Sequence, residues 1–367
     1  MRVLHVASGR LYGGIERMLT TLAECGNSGV EFAIASEGRL LSELRERGAP
    51  VHFLGSVRLR NPSSILRGRH QLASILHVSP PTSVICHAPW PHALFAGVAR
   101  SRGVPTVLWQ HDRATGAPLV ERACRADGAE LVICNSNWTA RTAAVLQPDA
   151  PCRTIYCPVT SSPVADYERA RTREALGAAP DQVVVLAASR LEPWKGHLEL
   201  IRALASLVSR PWLLWIAGGA QRPHERAYLG GIEAEVRRLG LESRVKCLGE
   251  RRDVRSLLAG ADLLAQANIE PEPFGVIFAE ALLAGVPVVT TNVGGAPEIV
   301  APSCGRLVPP ADQDALRAAL DELIADGRLR RALGASGPAH AASRCDPLVV
   351  LPQIDRALSS IGVTTAA

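Results

Sequence analysis

Short apolar runs alternate with longer amphipathic stretches from one end of the chain to the other. Runs of four to eight residues rich in Val, Ile and Leu lie at 2–8, 31–36, 83–87, 106–110 and 131–135, and a second set lies at 182–188, 212–217, 244–248, 262–266 and 286–291. They lack strict polar alternation, which predicts parallel strands covered on both faces. Helical patterns fill the gaps, for example at 42–47, 198–207 and 314–324. Strand, helix, strand repeated in this way predicts α/β domains with doubly wound parallel sheets. The set occurs twice, split by CPVTSSP at 157–163, whose Pro and Ser suit a hinge. The expectation is two Rossmann-like domains, 1–160 and 161–347, facing each other across a cleft. A C-terminal segment, 348–367, either completes the second domain or packs back on the first.

Composition narrows the classes. With 47% hydrophobic and 20% charged residues among 367, the chain is globular and not disordered. A net charge of +5 with scattered basic residues argues against a nucleic-acid partner. Only two of the 40 basic residues are lysines, Lys195 and Lys246, so a loop lysine stands out. None of the nine cysteines forms C-x-x-C, and most sit in apolar runs, which suits small buried hydrophobes in a reducing, cytoplasmic setting. The first apolar run is too short for a secretory leader, and no stretch of eighteen uncharged apolar residues free of Gly and Pro predicts a spanning helix. Contact with a membrane surface stays open.

The chemistry starts from what is missing. Neither G-x-G-x-x-G nor G-x-x-x-x-G-K occurs, so the dehydrogenase and P-loop readings lose their main support. Glycine pairs instead follow predicted strands: Gly13-Gly14, Gly218-Gly219 and Gly294-Gly295. The first pair opens a helix, where backbone N–H groups favour an anion. SRLEPWKG then places Arg190 and Lys195 in the loop after the strand at 182–188, close enough to reach adjacent phosphates. As a loop cation, Lys195 is expected to carry little packing, and Lys246 to be a silent control. Further on, EPEPFGVIFAE sets Glu272 before a helix opened by Phe274, Gly275 and Val276, with Glu280 inside it. Glu272 suits sugar hydroxyls and Glu280 a ribose, although a glutamate in a first turn is also what the helix dipole favours.

These segments, with LLWIAGG, VKCLGERRDV, TNVGGAPEIV, LYGGIERM and LVICNSNWTA, resemble the family 4 retaining glycosyltransferases of the GT-B fold over nearly the whole chain. The resemblance implies transfer of a hexosyl unit from a nucleotide diphosphate sugar to a glycan, lipid-linked or small-molecule acceptor, with retention and with no metal or other cofactor. It implies that Gly13, Gly14, Arg190 and Lys195 hold the diphosphate. Glu272 with the Phe274-Gly275-Val276 backbone would hold the donor sugar, and Glu280 the ribose. The chain departs from the family pattern where Ala267-Asn268 replaces Pro-Ser, where Glu270 adds an acid, and where Pro273 replaces Gly.

His87, His92 and His111 are the candidate histidines, from CHAPWPH and WQHDRAT. His111 directly follows the strand at 106–110 and matches the family's histidine near the donor sugar; His87 comes second, and Asp112 could orient the imidazole or meet the acceptor. A D-x-D pair, Asp312 and Asp314, reads as a helix start and not as a metal site, and no other cluster has ligand spacing. The basic stretch 58–69 reads first as a solvated loop of an arginine-rich chain, and second as a loop that leans on anionic lipid at the inner face of a membrane or on a phosphorylated acceptor. Two alternatives remain: a GT-B nucleotide-sugar hydrolase or epimerase, and a non-catalytic two-domain binding protein.

Overall fold

The structure, a computed structural model, describes residues 1–26, 29–160 and 166–362. Part of the expected hinge, 161–163, lies outside the described residues, as do the last five positions. The chain divides into two compact units, Met1–Pro158 with Pro347–Ala367, and Val159–Asp346.

The first unit carries β1 (Val3–Ala7), α1 (Gly14–Cys25), β2 (Val30–Ile34), α2 (Arg39–Glu46), β3 (Val51–Phe53), α3 (Pro62–Val78), β4 (Ser83–His87), α4 (Pro89–Arg100), β5 (Thr106–Gln110), α5 (Leu119–Ala126), β6 (Leu131–Cys134), α6 (Asn137–Ala140), α7 (Ala143–Leu146) and β7 (Cys152–Thr154). Its seven parallel strands run in the order β3-β2-β1-β4-β5-β6-β7. The second unit carries α8 (Asp166–Ala175), β8 (Val183–Ala188), α9 (His197–Ala205), β9 (Trp212–Ala217), α10 (Pro223–Arg238), β10 (Val245–Gly249), α11 (Val254–Gly260), β11 (Leu263–Gln266), α12 (Val276–Leu283), β12 (Val288–Thr291), α13 (Ala296–Ile299), β13 (Gly305–Val308), α14 (Gln313–Ala325) and α15 (Gly327–Cys345). Its six parallel strands run β10-β9-β8-β11-β12-β13. The closing helix α16 (Pro347–Gly362) groups with the first unit.

The central strands are apolar on both faces because both faces are covered. Every residue of β1, β4, β5 and β9 is buried. In the second unit, Arg169 and Arg173 of α8 grip the two oxygens of Asp262 at 2.7 and 2.9 Å, and Asp262 also accepts the Val184 N–H. This clamp holds α8 against the starts of β8 and β11. The pattern missed β3, β7 and β13, the outermost strands of their sheets. In each sheet the strand order reverses beside the first strand of the unit, between β1 and β4 and between β8 and β11. The carboxyl ends at such a switch point are where doubly wound sheets bind ligands.

Candidate active site

In the second unit the chain leaves β8 and turns through a one-turn 3-10 helix, Pro193–Lys195. Arg190 Nη1 lies 2.9 Å from Glu192 Oε1, and Arg222 Nη1 lies 3.6 Å from the same oxygen. Trp194 Nε1 donates to Glu192 Oε2 at 2.8 Å. Glu192 thus fixes two guanidinium groups at the end of β8. Lys195 Nζ sits 3.9 Å over the Trp194 ring and 2.5 Å from Glu272 Oε2. That oxygen also accepts from Gln266 Nε2 at 3.0 Å and from Asn268 Nδ2 at 3.3 Å.

Lys195 and Glu272, expected on different parts of a ligand, therefore form one ion pair, with each side chain only 11% exposed. The expectation that Lys195 carries little packing is corrected, because its removal strands a largely buried carboxylate. Lys246 lies outside this cluster, and its Nζ donates to the Leu176 carbonyl at 2.6 Å, just past the end of α8.

Backbone packing sets the position of Glu272. It bridges to Gly294, and the Gly295 N–H donates to its carbonyl at 2.6 Å. Gly294 has φ +76°, and a Cβ there would strike the Glu272 backbone, so only glycine fits. Gly275, at φ +88°, precedes α12 and caps it without a side-chain hydrogen bond; a Cβ would strike the Phe278 ring. The N-terminal N–H groups of α12 and its dipole favour an anion at this end. Phe274 is buried, Val276 is half-buried, and Glu280 is half-buried in the second turn of α12. The sequence reading missed Glu192, Arg222, Gln266 and Asn268 as partners in this cluster. Asn268 was noticed only as a departure from Pro-Ser; an amide four residues before Glu272 was the one signal the sequence offered, and its burial beside that carboxylate shows only in the fold.

Asp312 caps α14, its Oδ1 accepting the Ala315 N–H at 2.9 Å, and Asp314 is exposed in the first turn. Spacing along the chain does not show one grouping that the fold makes: among the described residues, Glu192, His224 and Glu225 bring ligand atoms within 4.8 Å of one another. Arg190 and Arg222 already face Glu192, while Glu225 Oε2 accepts the Gln221 and Arg222 N–H groups at the start of α10.

In the first unit, Gly13 precedes α1 and its N–H donates to Glu16 Oε2 at 3.0 Å; Gly14, the first helical residue, is exposed. The histidines separate sharply. His92 is buried in α4 against Cys124, and burial lowers its pKa to about 4, the behaviour of a core histidine. His87 ends β4 and His111 follows β5. His87 Nδ1 lies 3.0 Å from His111 Nε2, and His87 Nε2 lies 2.9 Å from His5 Nδ1 in β1. Burial drives His5 and His111 to about 3 and His87 well down, so all three rings are neutral near pH 7. The Asn135 amide donates to the His111 carbonyl at 3.2 Å. Asp112 is exposed, and its Oδ1 accepts the Arg113 N–H. Six of the nine cysteines are buried, and none is disulfide-bonded.

Comparison with known proteins decides the family. The model of the glycosyl transferases group 1 matches residues 168–340, and that of glycosyltransferase family 4 matches residues 12–162. A GDP-mannose-dependent monoacylated alpha-(1-6)-phosphatidylinositol monomannoside mannosyltransferase of Corynebacterium glutamicum is 30% identical over 313 residues, 79% of this chain and 78% of that protein. The chain belongs to glycosyltransferase family 4. The D-inositol 3-phosphate glycosyltransferase of Jonesia denitrificans is 34% identical over 49% of this chain and 43% of that protein. Among solved structures, Anabaena Alr3699/HepE in complex with UDP and glucose superposes with a TM-score of 0.85 and 27% identity, covering 98% of this chain and 100% of that one. This family 4 glycosyltransferase has the GT-B architecture of two parallel-sheet, Rossmann-like domains. Among the described residues, no helix is long and apolar enough to cross a membrane.

Proposed function

We propose that this glycosyltransferase moves a hexosyl unit from a nucleotide diphosphate sugar to a glycan, lipid-linked or small-molecule acceptor, with retention and without a metal. The observation that carries the reading is the cluster at the switch point of the second sheet: Arg190, Lys195 and Glu272 beside the start of α12. The mannosyltransferase relative is GDP-mannose-dependent, and HepE holds UDP, so GDP- and UDP-hexoses are the donors to try first. Arg190 and Lys195 meet the diphosphate, with Gly13 and Gly14 serving it from the first unit. Glu272 and the Phe274-Gly275-Val276 backbone hold the sugar, and Glu280 holds the ribose. His111 serves the transferred sugar and Asp112 the acceptor side; His87, expected on the acceptor side, is buried with both ring nitrogens on His5 and His111 and so stands behind His111.

In the reaction, the acceptor hydroxyl oxygen bonds to the anomeric carbon as the bond from that carbon to the diphosphate oxygen breaks. The electron pair leaves on the diphosphate, where the two cations stabilise it, and the acceptor proton passes to the departing phosphate oxygen. Those cations supply the electrostatic help that a metal gives elsewhere, and Asp312 is already occupied as a helix cap.

The stretch 58–69 is a loop only as far as Asn61, since α3 begins at Pro62. Arg58, Arg60, Arg67 and Arg69 are exposed around exposed Leu59 and Leu66, and no acidic residue falls within 58–78. That face supports peripheral contact with anionic lipid at the inner face of a membrane and a lipid-linked acceptor. The test is nucleotide release from a panel of UDP- and GDP-hexoses in excess EDTA, with and without acceptor extract. Release only with acceptor, giving a product of unchanged anomeric configuration by NMR, is expected. Equal release without acceptor favours a hydrolase, no release favours a binding protein, and a strict need for added magnesium or manganese overturns metal independence.

A further inference from the structure

The first sheet contains a line of three imidazoles, His5, His87 and His111, and His5 has no part in the transfer reaction as proposed. In register, His5 of β1 faces Ile85 of β4; His87 is two residues beyond Ile85 and faces Trp109 of β5; His111 is two residues beyond Trp109. A step of two keeps each side chain on the same face of its strand. The rings therefore climb one face of three adjacent strands, from the middle of β1 to the carboxyl end of β5. Neighbouring rings are 21° and 19° from coplanar, with centroids 5.2 and 5.3 Å apart and nitrogens 2.9 and 3.0 Å apart. They thus meet edge to edge, as N–H···N bonds between imidazoles require.

We propose that His5, acting through His87, is a positioning residue that sets which ring nitrogen of His111 carries its hydrogen. A neutral imidazole has one N–H and one bare nitrogen. His87 can therefore donate to one neighbour and accept from the other, and the two bonds must run the same way. If His87 donates to His5, all three rings carry hydrogen on Nε2, and His111 Nδ1 is a bare acceptor. If His5 donates to His87, all three carry it on Nδ1, and His111 Nδ1 is a donor. Mixed states break at least one of the two bonds in a site where His5 and His87 are 3% and 2% exposed. Burial keeps the rings neutral, as the lowered values for all three show. The hydrogen-bonding group that His111 offers a ligand is therefore coupled to the tautomer of His5, two strands away. This inference rests on the reading that His111 serves the transferred sugar.

The test combines long-range 1H–15N correlation spectra of 15N-histidine-labelled protein with steady-state kinetics. In the wild-type protein, His5, His87 and His111 should all carry hydrogen on the same-named nitrogen. That readout needs no variant, and differing tautomers among the three overturn the proposal. His5→Phe keeps an aromatic ring but removes Nδ1; His111 should become a tautomer mixture, and kcat should fall about tenfold with the donor KM unchanged. In His5→Asn the amide stands near the lost Nδ1, so a single tautomer should return with kcat near wild type. An unaltered His111 tautomer in His5→Phe, or no rescue in His5→Asn, overturns the coupling. Full turnover in His111→Ala would instead sink the sugar-site reading, and the spectra would still judge the coupling.

Discussion

Removing Lys195 should damage stability and catalysis separately, and the two effects can be told apart. In Lys195→Ala, Glu272 loses a partner at 2.5 Å while remaining only 8% exposed. Breaking a buried pair from one side costs about 3–5 kcal/mol. Gln266 and Asn268 still donate to the same carboxylate oxygen, which places the loss near the lower end, about 3 kcal/mol. For a domain of this size, that lowers the midpoint by roughly 6–12 °C. Calorimetry should show the shift in Lys195→Ala. Most of it should disappear in Lys195→Ala/Glu272→Gln, where no charge is stranded. Activity follows a different course. A charge-assisted hydrogen bond to the departing diphosphate contributes about 1.5–3 kcal/mol, so kcat/KM should fall about ten- to a hundred-fold. The double variant should not recover it, because the lost cation is still missing. A wild-type midpoint in Lys195→Ala would refute the ion pair, and undiminished turnover would refute the diphosphate role.

Two further outcomes follow from the histidines. His111→Ala should bind free nucleotide diphosphate as the wild type does, while turnover falls about a hundred-fold or more; the opposite split would place His111 at the nucleotide. Five buried histidines, His5, His87, His92, His111 and His197, are held below the ordinary value of 6.5 by burial. Below about pH 6.5 the unfolded chain therefore binds protons that the folded one refuses, so stability falls with pH by up to about 1.4 kcal/mol per pH unit for each ring. Denaturant midpoints should drop from pH 7 to pH 5, and a flat profile would contradict neutral buried rings.

Central strands were readable because burial on both faces writes itself as unbroken Val, Ile and Leu. Three of the four edge strands were not; β10 was. In β3, β7 and β13 the residues His52, Arg153 and Arg306 interrupt runs of three or four, since one side of each strand lacks a partner strand and faces need not be apolar. Arg190, Lys195, Glu272 and His111 could be singled out because each follows a strand or opens a helix. Their pairings could not. Lys195 and Glu272 are 77 positions apart, and His5, His87 and His111 line up only once the registers of β1, β4 and β5 are known. Nothing local in the sequence marks the Leu176 carbonyl as the partner of Lys246.

The central claim is that the loop after β8 holds a nucleotide diphosphate. It is tested most directly by titration calorimetry of UDP and GDP into wild-type protein and Arg190→Ala, in EDTA. Arg190→Ala leaves Glu192 its contacts with Arg222 and the Trp194 N–H but takes one cation from a buried carboxylate, so some loss of stability is expected and the variant's thermal midpoint is measured alongside to compare folded proteins only. At least one nucleotide should bind the wild type, and Arg190→Ala should bind it about ten- to a hundred-fold more weakly. Equal affinity in the two folded proteins would contradict the account.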